Sequence, residues 1–379
     1  MRAGLFLEGM SRRHAVSVVV VPVFGAAPPD DGFVGGLATA CLTLELRDPA
    51  DRHTWPSVLL GTAAGRRRAR ELYPLPSICR QPSGRSDTDL RRLTPGARLV
   101  HVMRSYLMPW VDFVLDDDTR PPVTLDLDEL DSGVQGQLGF LDEATRFARL
   151  ERYYLSRVDR VYAASSIDVG ILRDDYGVRC VSTIVNAGRP PVRTEPVEEQ
   201  YDLLFVGTLS YPPNVDAVRW LCQEIRPLLE PVTIAIVGSN PGPEVRGFAE
   251  LPGVTVVGDV PEVTPWYLGS RVAVAPLRVA GGSSTKIVEA LAHGRPVVAT
   301  GVAAGGLSVG EDHGILQAAT AEEFAAACRW LLDDAPSAAR IAAAGRRQVP
   351  MAGDVAGDID LLTRAVIESR PGRVGRRGA

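Results

Sequence analysis

The sequence predicts an α/β protein with two doubly wound parallel sheets. Three observations carry that expectation. From Leu203 to Ala299, short apolar runs rich in β-branched residues alternate with helix-length segments, the pattern of a parallel sheet covered on both faces. A looser alternation of the same kind runs from Arg98 to Val185. Between them, residues 187–200 are rich in Pro, Glu and Arg and contain Pro190-Pro191, as expected of a linker. A chain of 379 residues with 45% hydrophobic content can fill more than one core. The expected division is an amino-terminal domain over 1–190, a carboxy-terminal domain over 191–352, and a terminal helix with a basic tail over 353–379 that crosses back toward the amino-terminal domain.

The elements follow in order. Leu5, Phe6, Gly9 and Met10 share a helical face, and Arg12, Arg13 and His14 close that helix. Val16–Val23 reads as a strand buried on both faces. Residues 25–97 carry little pattern beyond a helical piece near Leu37–Leu46 and a basic run at Arg66–Arg70. Strands are expected at Arg98–Met103, Val123–Leu127, Val158–Ala163 and Val181–Val185, and helices at Phe140–Ser156 and Ile167–Tyr176. After the linker come strands at Leu203–Val206, Val232–Val237, Val254–Val257, Val272–Ala275 and Pro296–Ala299. Helices are expected at Asn214–Leu229, Glu262–Leu268, Thr285–His293, 321–333, 336–346 and 354–369, with Asn214 as a helix N-cap.

Composition narrows the role. The net charge is −5, and a duplex-binding surface needs a basic excess, so the balance argues against nucleic acid as the main partner. Five widely spaced cysteines form no CxxC or zinc pattern and read as reduced thiols of a cytoplasmic protein. The early apolar run Val18–Phe24 is too short to span a bilayer. The tail from Arg370 is basic. It is a solvated terminus or a peripheral contact to an anionic membrane.

Of the 41 basic residues, 40 are arginine and one is lysine, Lys286. It lies in the most informative segment, Ala275–Ala299, which reads as strand, Gly-Gly-Ser-Ser loop, helix, Gly stop and strand. A helix start at a strand's carboxyl end presents unpaired N–H groups and favours an anion. A cation in the first turn is unfavourable against the helix dipole, unless an anion sits there too. Glu289, one turn on, is placed to meet a ribose diol while Lys286 meets a diphosphate. An ordinary Lys–Glu surface pair explains the same spacing. A second loop, Phe205–Asn214, follows the first strand of the second half. There Gly207 and Thr208 turn the chain, either as a wall of a phosphate pocket or as a plain strand–helix turn.

These segments carry a resemblance. Phe-Val-Gly-Thr-Leu-Ser-Tyr-Pro-Pro-Asn-Val-Asp-Ala-Val-Arg-Trp and Ala-Pro-Leu-Arg-Val-Ala-Gly-Gly-Ser-Ser-Thr-Lys-Ile-Val-Glu-Ala-Leu-Ala-His-Gly-Arg-Pro-Val-Val-Ala-Thr resemble the donor-binding domain of the retaining glycosyltransferase family 4, the group 1 glycosyltransferases, in a bacterial subgroup. The likeness spans 201–310 and, more loosely, Val158–Gly188. It implies a GT-B fold: two Rossmann-like domains facing a central cleft, the amino-terminal one on the acceptor side. It implies sugar transfer from a nucleotide-sugar donor to an acceptor hydroxyl with retention, and neither cofactor nor metal. Glu289 matches the second glutamate of the family's Glu-x7-Glu motif. Lys286 with Gly282, Ser283, Ser284 and Thr285 matches the diphosphate cradle, and Gly258-Asp-Val260 the turn near the base. In the amino-terminal half, His101, Arg104 and Asp128 are the candidates for sugar, phosphate and acceptor contacts at strand ends. Against them stand a satisfied histidine and a surface arginine. Asp126-Leu-Asp128 and Asp116-Asp117-Asp118 also resemble metal-binding DxD motifs. The reading favours Lys286 and the helix start over a metal.

Two departures stand out. Position 281, where the first glutamate would fall, is Gly281. The family's first strand and Gly-rich loop would precede Met1, so either the start lies upstream or the amino-terminal domain is rearranged; Gly32–Gly36 follows a strand and is topologically misplaced for that loop. Three other readings stay open. They are a GT-B nucleotide-sugar epimerase or hydrolase, a non-catalytic partner subunit, and a nucleotide dehydrogenase, the last opposed by the lack of a GxGxxG after a first strand.

Overall fold

The computed structural model describes residues 2–23, 32–46, 72, 74–79, 84–191, 198–282 and 284–369. The basic run at 66–70 and the tail from 370 lie outside the described residues. The chain divides into two compact units, one reaching to Ile184 and resuming at Gly353, the other spanning Val185–Ala352. The division thus falls six residues before the expected end of the amino-terminal domain at 190.

The first unit opens with helix α1 (Arg2–Ser11), strand β1 (Ser17–Val20), the short α2 (Phe33–Leu37) and β2 (Ala40–Thr43). β1 and β2 pair in parallel as a two-stranded sheet. Two expectations change here. β1 is not buried on both faces: its residues stay partly exposed, and among the described residues it pairs with β2 alone. Where a helix is expected near Leu37–Leu46, the chain leaves α2 at Leu37 and forms strand β2 over Ala40–Thr43. Leu42, Leu44 and Leu46 alternate with Thr43 and Glu45, a period of two, and pack with Leu90 and Trp110.

Next come α3 (Gly84–Leu93), β3 (Val100–Met103), α4 (Asp112–Leu115), β4 (Val123–Asp126), α5 (Asp131–Gln137), α6 (Leu141–Leu155), β5 (Arg160–Ala163), α7 (Ser166–Asp174) and β6 (Val181–Thr183). β3–β6 form a parallel sheet in sequence order. β4 is buried along its whole length, and Leu125, Leu150, Tyr154 and Leu172 fill the core around it.

The second unit is a six-stranded sheet in the order β12-β11-β10-β7-β8-β9, every pair parallel. Its strands are β7 (Tyr201–Val206), β8 (Ile234–Gly238), β9 (Val254–Gly258), β10 (Ser270–Ala275), β11 (Val297–Ala299) and β12 (Ile315–Gln317). Its helices are α8 (Pro212–Trp220), α9 (Pro243–Gly247), α10 (Thr264–Leu268), α11 (Thr285–Ala292), α12 (Gly301–Ala304), α13 (Ala321–Asp333) and α14 (Ala335–Gln348). The core is continuous from Phe205 and Ile236 on the strands to Leu221, Ile287 and Phe324 on the helices. The order reverses between β7 and β10: the chain adds β8 and β9 on one side, then returns to the other. Ligands bind at such a switch point, beyond the carboxyl ends of the strands.

The last helix, α15 (Ala352–Ser369), belongs to the first unit from Gly353 on. It packs on α1, where Arg12 donates to the Gly353 carbonyl at 2.7 Å and Arg13 pairs with Asp360 at 3.1 Å.

Candidate donor site at the switch point of the second sheet

Two loops leave the switch point side by side. Gly207 and Thr208 follow β7, and α11 starts after the loop that follows β10. Within that second loop Gly282 has φ of +62°, a left-handed conformation suited to glycine. Arg278 holds the loop to α8 through a two-pronged pair with Asp216, at 2.9 and 2.5 Å. Ser283 lies outside the described residues. Ser284 stands at the N-cap of α11; its carbonyl accepts from the Ile287 N–H at 3.2 Å, and its side chain makes no cap bond to the first N–H groups of the helix.

Lys286 lies in the first turn of α11, as its sequence position requires. Its ammonium does not turn toward Glu289. It donates to Asn214 Oδ1 at 2.7 Å and lies 4.6 Å from the centre of the Phe205 ring. The side chain keeps some exposed surface, yet its charged end is enclosed. Burial pulls the Lys286 pKa down to about 7, with the Glu289 charge acting in the opposite direction. Glu289 accepts from Tyr267 Oη at 3.3 Å instead, and burial raises its pKa. Tyr267 is fully buried and stacks on His293, with ring centres 4.8 Å apart. His293 in turn bonds the Glu289 carbonyl at 2.7 Å.

Asn214 is not the N-cap of α8. Pro212, pre-set for a helix start, brings the first turn forward, and Tyr211 takes the cap position. The turn expected near a base is present at the end of β9. The Asp259 N–H donates to the Gly238 carbonyl at 3.0 Å, and Asp259 Oδ1 accepts from the Asn240 N–H at 2.9 Å. Gly258, Asp259 and Val260 therefore form a fixed corner beside the loop after β8. The second unit brings Gly207, Thr208, Gly282, Ser284, Thr285, Lys286 and Glu289 to the β7 and β10 ends, and Gly258 with Val260 to the β9 end.

The remaining candidates lie in the first unit. His101 is held inside it: Nδ1 is 2.8 Å from Thr124 Oγ1, Nε2 is 3.2 Å from Met103 Sδ, and the ring stacks on Phe6 at 4.3 Å. Burial, helped by the Arg2 charge, lowers its pKa to about 3. It is a satisfied, neutral histidine. Arg104 is not a bare surface arginine. It lies 2.9 Å from Glu129, 2.6 Å from Asp131 and 3.6 Å from Asp128. Both Arg104 and Asp128 have positive φ, 77° and 58°. Sequence reading passed over Asp131, which opens α5; burial raises its pKa to about 7 against the pull of Arg104.

The two DxD motifs do not converge. Asp126 is fully engaged by Arg2, Asp116 pairs with Arg157, and Asp117 accepts from Thr119. Among the described residues no group of three His, Cys, Asp or Glu side chains is arranged to hold a metal ion. Among them, too, no helix is long and apolar enough to cross a membrane.

Comparison with known structures agrees with this architecture. Sucrose-phosphate synthase from Thermosynechococcus elongatus superposes with a TM-score of 0.66 at 17% identity, covering 94% of this chain and 100% of that one. HepE from Anabaena, solved with UDP-glucose, gives 0.67 at 14% identity over 96% of each chain. A glycosyltransferase from Rickettsia africae gives 0.65 at 12% identity, covering 97% and 95%. No curated protein matches the chain by sequence. The chain has the two Rossmann-like units of the GT-B fold, and its residues 200–334, which hold every strand of the second sheet, match the glycosyl transferases group 1 family.

Proposed function

We propose that the protein is a retaining glycosyltransferase that moves a sugar from a nucleoside-diphosphate sugar to an acceptor hydroxyl. One observation carries the reading. Within the segment matching group 1 glycosyltransferases, the chain's single lysine stands at a helix start on the switch point of the sheet. The departing nucleoside diphosphate gathers negative charge, and catalysis needs positive potential there. Lys286 and the N–H groups at the start of α11 supply it without a metal. Glu289, oriented by Tyr267, accepts from the ribose hydroxyls. Gly207 and Thr208 wall the phosphates, and Gly258 and Val260 meet the base. In the same-face mechanism a phosphate oxygen of the leaving group takes the acceptor proton. No protein base is required, in keeping with a His101 whose two nitrogens are engaged. Arg104 and Asp128, at the carboxyl ends of β3 and β4, are assigned to the acceptor side. Five cysteines free of disulfides fit the cytoplasm as its place of action.

A thermal-shift series with UDP, GDP, ADP and TDP tests donor binding, because a ligand of the native state raises its stability. One base is expected to raise Tm by several degrees; no shift from any of the four overturns the reading. Proton NMR of the product then reports the anomeric configuration. Inversion rejects retention, and sugar release or epimerisation without an acceptor favours the epimerase or hydrolase alternative.

A further inference from the structure

Asn214 is buried in the first turn of α8 and makes two bonds in opposite directions. Its Oδ1 accepts from Lys286 Nζ at 2.7 Å, and its Nδ2 donates to the Thr208 carbonyl at 2.9 Å. The partners fix the amide's orientation. Turned over, its NH2 would face the ammonium and its oxygen a carbonyl, two contacts of like polarity. Gly207 makes the arrangement fit: a Cβ there would stand 2.8 Å from Asn214 Nδ2 and 3.0 Å from its Cγ.

We propose that Asn214 is the positioning residue of the donor site, its one carboxamide joining the Thr208 loop to the Lys286 ammonium and presenting that ammonium to the diphosphate. The proposal rests on the donor-binding reading above. A carboxylate in its place would form an ion pair that competes with the ligand. A carboxamide holds the ammonium through one of its three N–H groups and leaves the charge and the other donors to a diphosphate. Around Lys286 stand the Phe205 ring from β7, Asn214 from α8, Tyr267 from α10 with His293 stacked behind it, and Glu289 on α11 itself. Glu289 favours the charged lysine, and burial opposes it more strongly, which leaves the amine near its midpoint at neutral pH. A diphosphate adds negative charge at this point. Donor binding therefore draws a proton onto Lys286.

The chain has one lysine, so protein carrying 13C-labelled lysine gives a single Cε signal whose titration needs no assignment. Without ligand its midpoint is expected near 7. Saturating UDP, or whichever of GDP, ADP and TDP binds, raises that midpoint by at least one unit. Calorimetry at pH 8 in buffers of different ionisation enthalpy then reads proton uptake of about 0.4 for a one-unit rise, and more for a larger one, as expected for an amine mostly neutral at that pH without ligand. Asn214→Asp raises the ligand-free midpoint by about two units, and Asn214→Ala weakens binding about tenfold, the loss of one charge-assisted bond. A merely structural role for Asn214 moves neither the midpoint nor the proton count. An Asn214→Asp midpoint within half a unit of wild type overturns the proposal, as does equal UDP affinity in wild type and Asn214→Ala. If no nucleoside diphosphate moves the wild-type signal, the donor reading fails, while the ligand-free comparison with Asn214→Asp still decides whether the carboxamide holds the ammonium.

Discussion

Arg2 and Asp126 meet fork to fork, Nε 2.7 Å from Oδ2 and Nη2 2.6 Å from Oδ1, with 5% and 0% of their side chains exposed. The remaining arginine nitrogen donates to the Ile184 carbonyl at 2.6 Å, so one side chain ties α1 to the ends of β4 and β6. Removing one member strands a buried charge. Arg2→Met is expected to cost ~3–5 kcal/mol, and Arg2→Met with Asp126→Leu clearly less. Urea denaturation measures both. A double variant no more stable than the single one would show that the two charges are not coupled.

Lys286 is a test of shape as well as charge. Its compact ammonium lies between Phe205 and Asn214, and a planar guanidinium would bring a different shape and donor geometry to that place. Lys286→Ala is expected to slow turnover by about one to two powers of ten, from the loss of ~1.5–3 kcal/mol. Lys286→Arg should restore little of it. Steady-state rates decide, and wild-type turnover in either variant would remove Lys286 from the site.

Tyr267 orients Glu289 through its hydroxyl. Tyr267→Phe keeps the ring on His293 and removes one neutral hydrogen bond. The donor KM is expected to rise about threefold, with kcat little changed. A fall in kcat with constant KM would instead place Glu289 at the reacting centre.

Two buried groups of the first unit act on stability with opposite signs. His101, lowered to about 3, stays neutral in the folded state, while the unfolded chain binds its proton below about 6.5; its contribution is present above that pH and lost as pH falls. Asp131, raised to about 7, holds its proton in the folded state after the unfolded chain has released it. Its contribution is therefore present below about 3.8 and lost as pH rises toward 7. His101→Gln should flatten the acid side of the Tm-against-pH curve between 4 and 6.5. Asp131→Asn should flatten the decline between 4 and 7. Identical curves for wild type and both variants would contradict the environments described here.

Gly9 is where α1 approaches α15 closely. A Cβ there would come within 2.6 Å of Ile359 Cγ2 and 2.7 Å of the Ala356 carbonyl. Gly9→Leu is expected to cost ~1–3 kcal/mol by overpacking, or more where the backbone cannot move. Chemical denaturation measures this, and an unchanged midpoint would mean that the helix contact gives way freely.

The second unit was largely legible because its strands are short β-branched runs separated by helices with clear stops. The loop around Lys286 was legible because glycines and a helix start mark it locally. Other features depend on partners far away in sequence. α5 has the sequence Asp-Ser-Gly-Val-Gln-Gly-Gln, with two glycines and no periodicity, and is held by buried Glu151, which accepts from the Ser132 N–H at 3.1 Å and from its hydroxyl at 2.5 Å. His101 looked available at a strand end because Phe6, which covers it, lies on α1. Some signals were present and misjudged. Pro212-Pro213 announces the earlier start of α8, and the alternating leucines at 42, 44 and 46 announce β2. Asp131 offered no local signal, since what singles it out is its burial beside Arg104.

The return of α15 to the first unit has a consequence for biosynthesis. Arg12 and its acceptor on Gly353 are 341 residues apart. At about 5–20 residues per second, a ribosome needs roughly 20–70 s to make the chain between them. Throughout that interval Gly9 and its helical face have no Ile359 to pack on, and the last strand of the second sheet, ending at Gln317, is made before α15. The amino-terminal unit is thus begun first and finished last.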